Sequence, residues 1–410
     1  MRSKLIAILG GILIFISCKK DVEPLVIRKG VPTDTLEIIH RDSIANLYVP
    51  FYTPLFTYGN HLYTLARFPN GFINRSIFQK RDRLSGVVVD ELELGNLILD
   101  PKTGILENGK YFIFGYDETY IIDLETFEKD LFTSRANIWN RNGHAAVGDL
   151  YIYFGMNNPS PKPGTAVYSY NLSTDVETYL FTIEDPDYDD PSDRSRMWDL
   201  TAWRGESGDL YVAVVVTFEL IPRKHELWIY NANQNSIAYK LNLNTRPDDL
   251  WSQYYENRPI YYDEYFDQLY VLTERLNAID PYNGQIKWTS EIESDSWISQ
   301  VRCTKSGVYW LDDHNLNFVN GLDGSTIFSQ ETYGIPVATL NIQQNVIPIG
   351  SSHTLLILDK LSGELVYRAV EENNNYYYNY SGTFIDWENR RLYYYFDHNF
   401  VCARLPEHWK

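Results

Sequence analysis

Cysteine, methionine and long apolar runs are scarce in this chain: 410 residues hold three Cys and three Met. Beyond residue 16 no segment approaches the run of about 20 apolar residues that a membrane-spanning helix needs. Catalytic signatures are missing too. There is no HExxH, GxSxG, P-loop or GxGxxG, and none of the eight His stands at metal-ligand spacing from another His or Cys. No metal site and no complete catalytic constellation can be read from the sequence. Positive charge is also short, with 36 Lys and Arg against 54 Asp and Glu and a net charge of −18. That balance argues against a nucleic-acid partner, because phosphate binding needs Lys and Arg. It suits solubility, cations or a basic partner.

What is present begins at the N-terminus. Arg2 and Lys4 precede an apolar run from Leu5 to Ile16, broken only by Gly10 and Gly11. Twelve residues is the length of a signal-peptide core. Phe15-Ile16-Ser17-Cys18 follows and resembles the lipobox of bacterial lipoproteins, with Phe15 where Leu is usual. The resemblance implies that the Cys18 sulfur takes a diacylglycerol, that the chain is cut before Cys18, and that the new amine is acylated with a palmitate-type chain. Several buried acyl chains hold a membrane where one binds only marginally. Lys19 directly after Cys18, in place of Asp, points by resemblance to the outer membrane, with the periplasmic or outward side left open. Removing residues 1–17 takes away two positive charges, so the net charge becomes −20.

A second feature is an internal repeat. Around Asp280-Pro281-Tyr282-Asn283-Gly284-Gln285-Ile286-Lys287-Trp288 an apolar strand enters a tight turn and a second strand leaves it. Asp opens such a turn by bonding the backbone ahead. Gly supplies positive φ, and the aromatic four residues on is expected to pack between sheets. The frame D/N-x3-G-x3-aromatic recurs at Asn320/Gly324/Phe328 and Asp359/Gly363/Tyr367. It recurs with Asp or Asn in the Gly place at Asn171/Asp175/Tyr179 and Asn231/Asn235/Tyr239. Asp82/Gly86 keeps the turn with Asp90 in the aromatic place, and Asp123 keeps only the opener, followed by Phe127 and Leu131. The seven openers are 41, 48, 60, 49, 40 and 39 residues apart. A period in the forties with short strands predicts an all-β single propeller of four-stranded blades. A β-sandwich with frequent turns is the alternative.

The C-terminal segments 384–386, 392–396 and 400–405 read as three strands of one more blade, and Thr35 to Ile39 can supply the fourth. Ring closure by an N-terminal strand leaves no open sheet edge. The expectation is eight blades, with seven as the alternative. The domains follow: a signal peptide over 1–17, a lipidated tether over 18–34, and a propeller over 35–410. The repeat resembles the PQQ-like, or quinoprotein-type, propeller repeat. In architecture the chain is similar to the lipoprotein subunit of the outer-membrane β-barrel assembly machine. Many quinoproteins carry adjacent cysteines beside their cofactor; here there is no adjacent pair and no Cys-x-x-Cys-His. No cofactor is therefore expected. After Cys18 only Cys303 and Cys402 remain. They read as buried free thiols, with a disulfide as the alternative in an oxidising compartment.

The longest insertions, Asn157 to Gly164, Glu184 to Arg196, Glu219 to His225 and Asn244 to Arg258, fall alternately between second and third strands and between blades. They should gather on one face of blades three to five, where binding residues concentrate. Within or beside them Asp185, Asp187, Asp189, Asp190, Trp198, Trp251, Tyr254 and Tyr255 are the candidate ligand-binding residues. Carboxylates beside aromatics suit a sugar or a protein partner. Oxygen-rich loops can also hold Ca²⁺, but Pro186 and Pro191 interrupt the acidic run, so a solvated loop is the first reading. The functional expectation is a membrane-anchored, non-catalytic scaffold that engages an envelope protein or glycan. The alternatives are an exported enzyme acting on a glycan or small molecule, and a barrel-assembly accessory.

Overall fold

In the computed structural model the chain is all β. The residues described are 36–43, 55–70, 73–95, 105–107, 109–114, 119–132, 144–157, 164–183, 195–218, 224–243, 260–293, 300–312, 314–332, 340–350, 354–370, 380–396 and 399–407. They form eight antiparallel sheets arranged as an eight-bladed propeller. In chain order, blades 1 to 7 span 55–95, 105–132, 144–183, 195–243, 260–293, 300–331 and 340–370. Within a blade the strands are lettered a to d from the axis outward. In blade 7 the a place is taken by residues 340–343, which touch the next strand through a single Gln343–Val346 bridge.

Blade 8 closes the ring. Its strands a to c are Tyr380–Asp386, Arg391–Phe396 and Asn399–Arg404, and its d strand is Glu37–Ser43 from the other end of the chain. The expected closing strand is thus present, displaced toward the C-terminus from Thr35–Ile39. Glu37 pairs with Arg404 and Ser43 with Asn399. Strand c runs toward the face that carries the a–b and c–d turns, so the chain enters the ring on that face.

Sequence pattern explains the layering. A b strand such as Gln268–Leu272 is buried at every position, because neighbouring blades cover both of its faces. A d strand such as Ser236–Leu243 is mostly exposed, because it forms the rim. The apolar core is correspondingly divided into eight clusters, each spanning one junction between neighbouring blades. One of them joins Leu62 and Ala66 of blade 1 to Tyr393, Tyr395, Phe400 and Cys402 of blade 8. Cys303 and Cys402 are free thiols, lying in blades 6 and 8.

All seven repeat frames are c–d turns. The opener's Oδ1 accepts backbone N–H groups two and three residues ahead at Asp82, Asp123, Asn171, Asn231, Asp280 and Asp359, and two ahead at Asn320. The fifth residue has positive φ in every case: Gly86, Phe127, Asp175, Asn235, Gly284, Gly324 and Gly363, between +52° and +78°. The expected aromatic docks on the next blade at four places, Tyr367 among Ile385 and Leu392 of blade 8 and three others on glycines. Tyr239, Trp288 and Phe328 lie against Gly284, Gly324 and Gly363. Tyr179 does not dock and is 51% exposed. The next blade's turn has Asn235 in place of Gly, and its side chain accepts a hydrogen bond from its own Tyr230. Asp175 is held likewise by Tyr170 at 2.7 Å. The turn therefore varies: some copies are capped by the preceding blade's aromatic, those at Asp175 and Asn235 by a tyrosine of their own strand, and that at Phe127 by its own buried ring.

The seam between blades 8 and 1 is polar as well as apolar. Arg83 donates to both carboxylate oxygens of Asp386, at 2.8 and 2.9 Å. Burial pushes the Asp386 carboxyl up, but hydrogen bonds from Arg83 and Asn389 outweigh it and hold the group below its ordinary value. On acidification the unfolded chain, with a carboxyl pKa of about 3.9, takes up the proton first. The seam's contribution is present above about pH 4 and lost as pH falls through the lower folded-state value. Denaturant midpoints measured from pH 6 down to 3 should show this loss, and Asp386→Asn should start lower and flatten the slope.

Candidate functional site: a cavity on the short-turn face

The strands flanking the four long insertions are those expected: b to c in blade 3, d to a between blades 3 and 4, b to c in blade 4, and d to a between blades 4 and 5. Their ends lie on one face. Asp185, Asp187, Asp189, Asp190, Trp251, Tyr254 and Tyr255 lie outside the described residues. Trp198 is on the a strand Ser195–Arg204 of blade 4. The question of whether these residues converge therefore falls outside the described part of the chain.

The opposite face holds a cavity of about 970 Å³. The ends of the a strands of blades 3 to 6, with their a–b turns, line it, so it sits at the axis on the short-turn side. Its wall in blade 5 is Tyr261-Tyr262-Asp263-Glu264-Tyr265. Asp263 ends the strand and opens the turn as the c–d openers do: its Oδ1 accepts the Tyr265 N–H at 2.9 Å. Asp267 closes the turn at φ +47° and accepts from the Tyr262 hydroxyl at 2.8 Å and the Tyr282 hydroxyl at 3.1 Å. This bracing leaves Tyr265 59% exposed at the rim.

Trp203 of blade 4 forms the adjoining wall, stacked between Tyr211 at 5.6 Å and Tyr262 at 4.7 Å. Two cations stand at the rim. Arg204 Nη1 donates to the Gly208 carbonyl at 2.9 Å, and Lys305 Nζ lies 5.8 Å from the Tyr265 ring centroid. Several fully buried polar atoms nearby lack a partner: Trp203 Nε1 in blade 4, and Gln268 Oε1 and Tyr270 Oη on the b strand of blade 5, while the Asp263 carboxyl has the Cys303 thiol beside it. Gln268 is the ladder partner of Asp263, and Tyr270 that of Tyr261, so the four side chains share one sheet face.

Burial raises the Asp263 carboxyl above its ordinary range. Burial, then the neighbouring Asp263 carboxylate, pushes the Cys303 thiol well up. A thiol held protonated is no nucleophile. Among the described residues no set of three or more His, Cys, Asp and Glu is placed to hold a metal ion. The acidic run considered for Ca²⁺ lies outside them. Sequence reading missed the cavity because its wall comes from four blades. The local signal was the aromatic and acidic stretch 261–267, whose Asp263-x3-Asp267 spacing copies the repeat frame without the later aromatic.

No family model and no curated protein matches the chain. Solved structures do. BamB from Moraxella catarrhalis superposes with a TM-score of 0.51 at 9% identity, over 90% of this chain and 100% of that one. The computationally designed Ika8 protein does so with a TM-score of 0.57 at 10% identity, over 86% and 96%. At such identities the likeness is one of fold.

Proposed function

We propose that the chain is a lipid-anchored, non-catalytic scaffold of the bacterial outer membrane that engages a protein or glycan through the loop-rich face of blades 3 to 5. One observation carries this reading: strand direction puts both ends of every b–c and d–a connection, the four insertions among them, on a single face, opposite the face where the chain enters the ring. Cys18, read as the acylated residue, is separated from Glu37 by 18 residues, a reach of at most about 70 Å. The ring is thereby kept near the membrane with its long connections turned from the point of attachment. The fold likeness to BamB is compatible with a scaffold role, and with the narrower role of a barrel-assembly accessory.

Two experiments test the reading. Labelling with a radioactive fatty acid should mark the protein, and Cys18→Ser should abolish both the label and sedimentation with membranes. Crosslinking and pull-down from detergent-solubilised envelope should recover one specific partner, lost on shortening the loops at 184–196 or 244–258. A labelled but partnerless protein with a measurable turnover defeats the scaffold reading in favour of an exported enzyme. Normal levels of outer-membrane barrels after deletion remove the accessory role alone.

A further inference from the structure

We infer that three exposed leucines on the short-turn face, Leu84, Leu322 and Leu361, form a second contact with the membrane, and that the lipid leaflet holding the Cys18 anchor covers them. They occupy one position, the third residue of the c–d turn, in blades 1, 6 and 7. They are 53%, 70% and 53% exposed, and Leu322 is the most exposed large apolar side chain among the described residues. Exposed apolar residues scattered singly need no explanation. These three are not scattered. Blade 8 lies between blades 7 and 1, so the three turns and the chain entry at Glu37 share one face and one arc of four consecutive blades. In blades 2, 3 and 4 the same position holds Glu125, Ser173 and Asn233, and in blade 5 it holds Tyr282, packed on Tyr211.

The fold does not ask for leucine there. The turn needs a positive-φ residue and an opener, which holds the N–H of Leu84, Leu322 and Leu361 at 3.1, 2.9 and 3.0 Å. Glu125, Ser173 and Asn233 meet the same backbone demand with polar side chains. The three apices are also held firmly. The carbonyl just before each leucine accepts a hydrogen bond from an aromatic of the preceding blade: Arg83 from Tyr393, Gly321 from Trp288 and Lys360 from Tyr309. Apices fixed in advance lose little freedom on contact, so more of their apolar burial counts toward binding. The tether decides the occupant. Cys18 is separated by 18 residues from Glu37, which enters the ring on this face. Anchoring makes contact with the leaflet intramolecular, at an effective concentration in the millimolar range for a short flexible link. Three side chains, too few to hold a soluble protein on a membrane, then suffice to set which face lies against it. Beside the chain entry Arg83 is paired with Asp386 and Glu388, and Arg404 with Glu37. Apolar burial, rather than attraction to anionic lipid, is therefore the driving term.

The inference rests on the reading of Cys18 as the lipid anchor, so the fatty-acid label is measured on the same protein. Photoreactive p-benzoylphenylalanine is placed at Leu84, Leu322 or Leu361, and for comparison at Glu125, Ser173 or Asn233, in the full-length chain. Each protein is reconstituted in vesicles of phosphatidylethanolamine and phosphatidylglycerol with tritiated acyl chains, and again in vesicles of tritiated phosphatidylcholine alone. On illumination the three leucine positions should capture lipid about fivefold more than the other three, in both kinds of vesicle. With Leu322→Ser and Leu361→Ser in the background, capture from position 84 should fall about fivefold or more. The melting temperature should not move, because these side chains are exposed in the folded chain. Equal capture at the two sets of positions overturns the inference. A cross-linked dimer from the leucine positions overturns it by giving them to a second copy, and capture lost on phosphatidylcholine overturns it by giving the contact to charge. Absence of the fatty-acid label at Cys18 removes the anchor and this contact with it, whereas a labelled protein that captures no lipid removes the contact alone.

Discussion

Arg81→Ala should cost the protein about 3–5 kcal/mol of stability, the scale expected when a buried ion pair loses one partner. Arg81 is on the c strand of blade 1 and is fully buried. Its guanidinium donates to Asp42 Oδ2 at 2.5 Å, to the Gly86 carbonyl at 2.8 Å and to Gln79 Oε1 at 2.8 Å. It also lies over the Phe400 ring at 3.9 Å. Asp42 belongs to the N-terminal closing strand and Phe400 to the strand it pairs with, so one side chain ties blade 1 to both chain ends. Truncation leaves three acceptors without their donor and a void beside an aromatic ring. The planar fork is what reaches several acceptors at once, and Lys cannot reproduce it. Arg81→Lys should therefore recover less than half of the loss. Urea unfolding provides the measurement: the midpoint falls and the slope is retained if the closed ring still unfolds as a unit. A shift below 1 kcal/mol for Arg81→Ala would mean that its hydrogen bonds add little to a seam held by the apolar cluster and the Arg83–Asp386 pair.

That residue also shows why part of the fold was legible in sequence and part was not. The c–d turns are local. Opener, positive-φ residue and docking aromatic lie within nine residues, so the frame survives reading one blade at a time. The departures carried information that a fixed frame discards. Asp175 and Asn235 look like failed glycines, yet each accepts from a tyrosine one residue before its own opener, Tyr170 and Tyr230. Phe127 looks like a turn without its glycine, yet it holds φ +58° and buries its ring among Tyr63 and Phe78. In each case the side chain supplies a contact that offsets the cost of the left-handed conformation. The closing strand was legible because the last blade was one strand short. The polar seam was not, since Arg81 and Asp42 are 39 residues apart with no motif between them. The cavity had still less signal, because its wall runs from Ala146 to Lys305. The candidate residues on the long insertions were chosen from composition, and they fall outside the described residues.

Gly324→Ala should be nearly as damaging as loss of Arg81, at ~3 kcal/mol, although it adds a single methyl group. Two independent effects combine. Gly324 has φ +73°, where an alanine loses about 1–2 kcal/mol relative to its preferred backbone. A Cβ here would also run into the indole of Trp288 from blade 5, pressing on Cε3 and lying 2.9 Å from Cδ2 and 3.0 Å from Cζ3. The indole cannot simply withdraw. Its Nε1–H donates to the Gly321 carbonyl at 3.1 Å, and the ring belongs to the cluster that joins blades 5 and 6. Moving it strands a buried donor, a loss of about 1–3 kcal/mol. Trp288→Ala in the Gly324→Ala background separates the effects. With the indole gone, the added methyl should cost only its backbone share, so the two substitutions together should destabilise by less than the sum of each alone. A strictly additive pair would show that the indole and the turn do not constrain each other. The same reasoning predicts a milder result at Asn235, where no aromatic from blade 3 covers the turn because Tyr179 stays exposed. Asn235→Gly removes the acceptor for Tyr230 but relieves the left-handed backbone, and its net change should stay within about 1 kcal/mol.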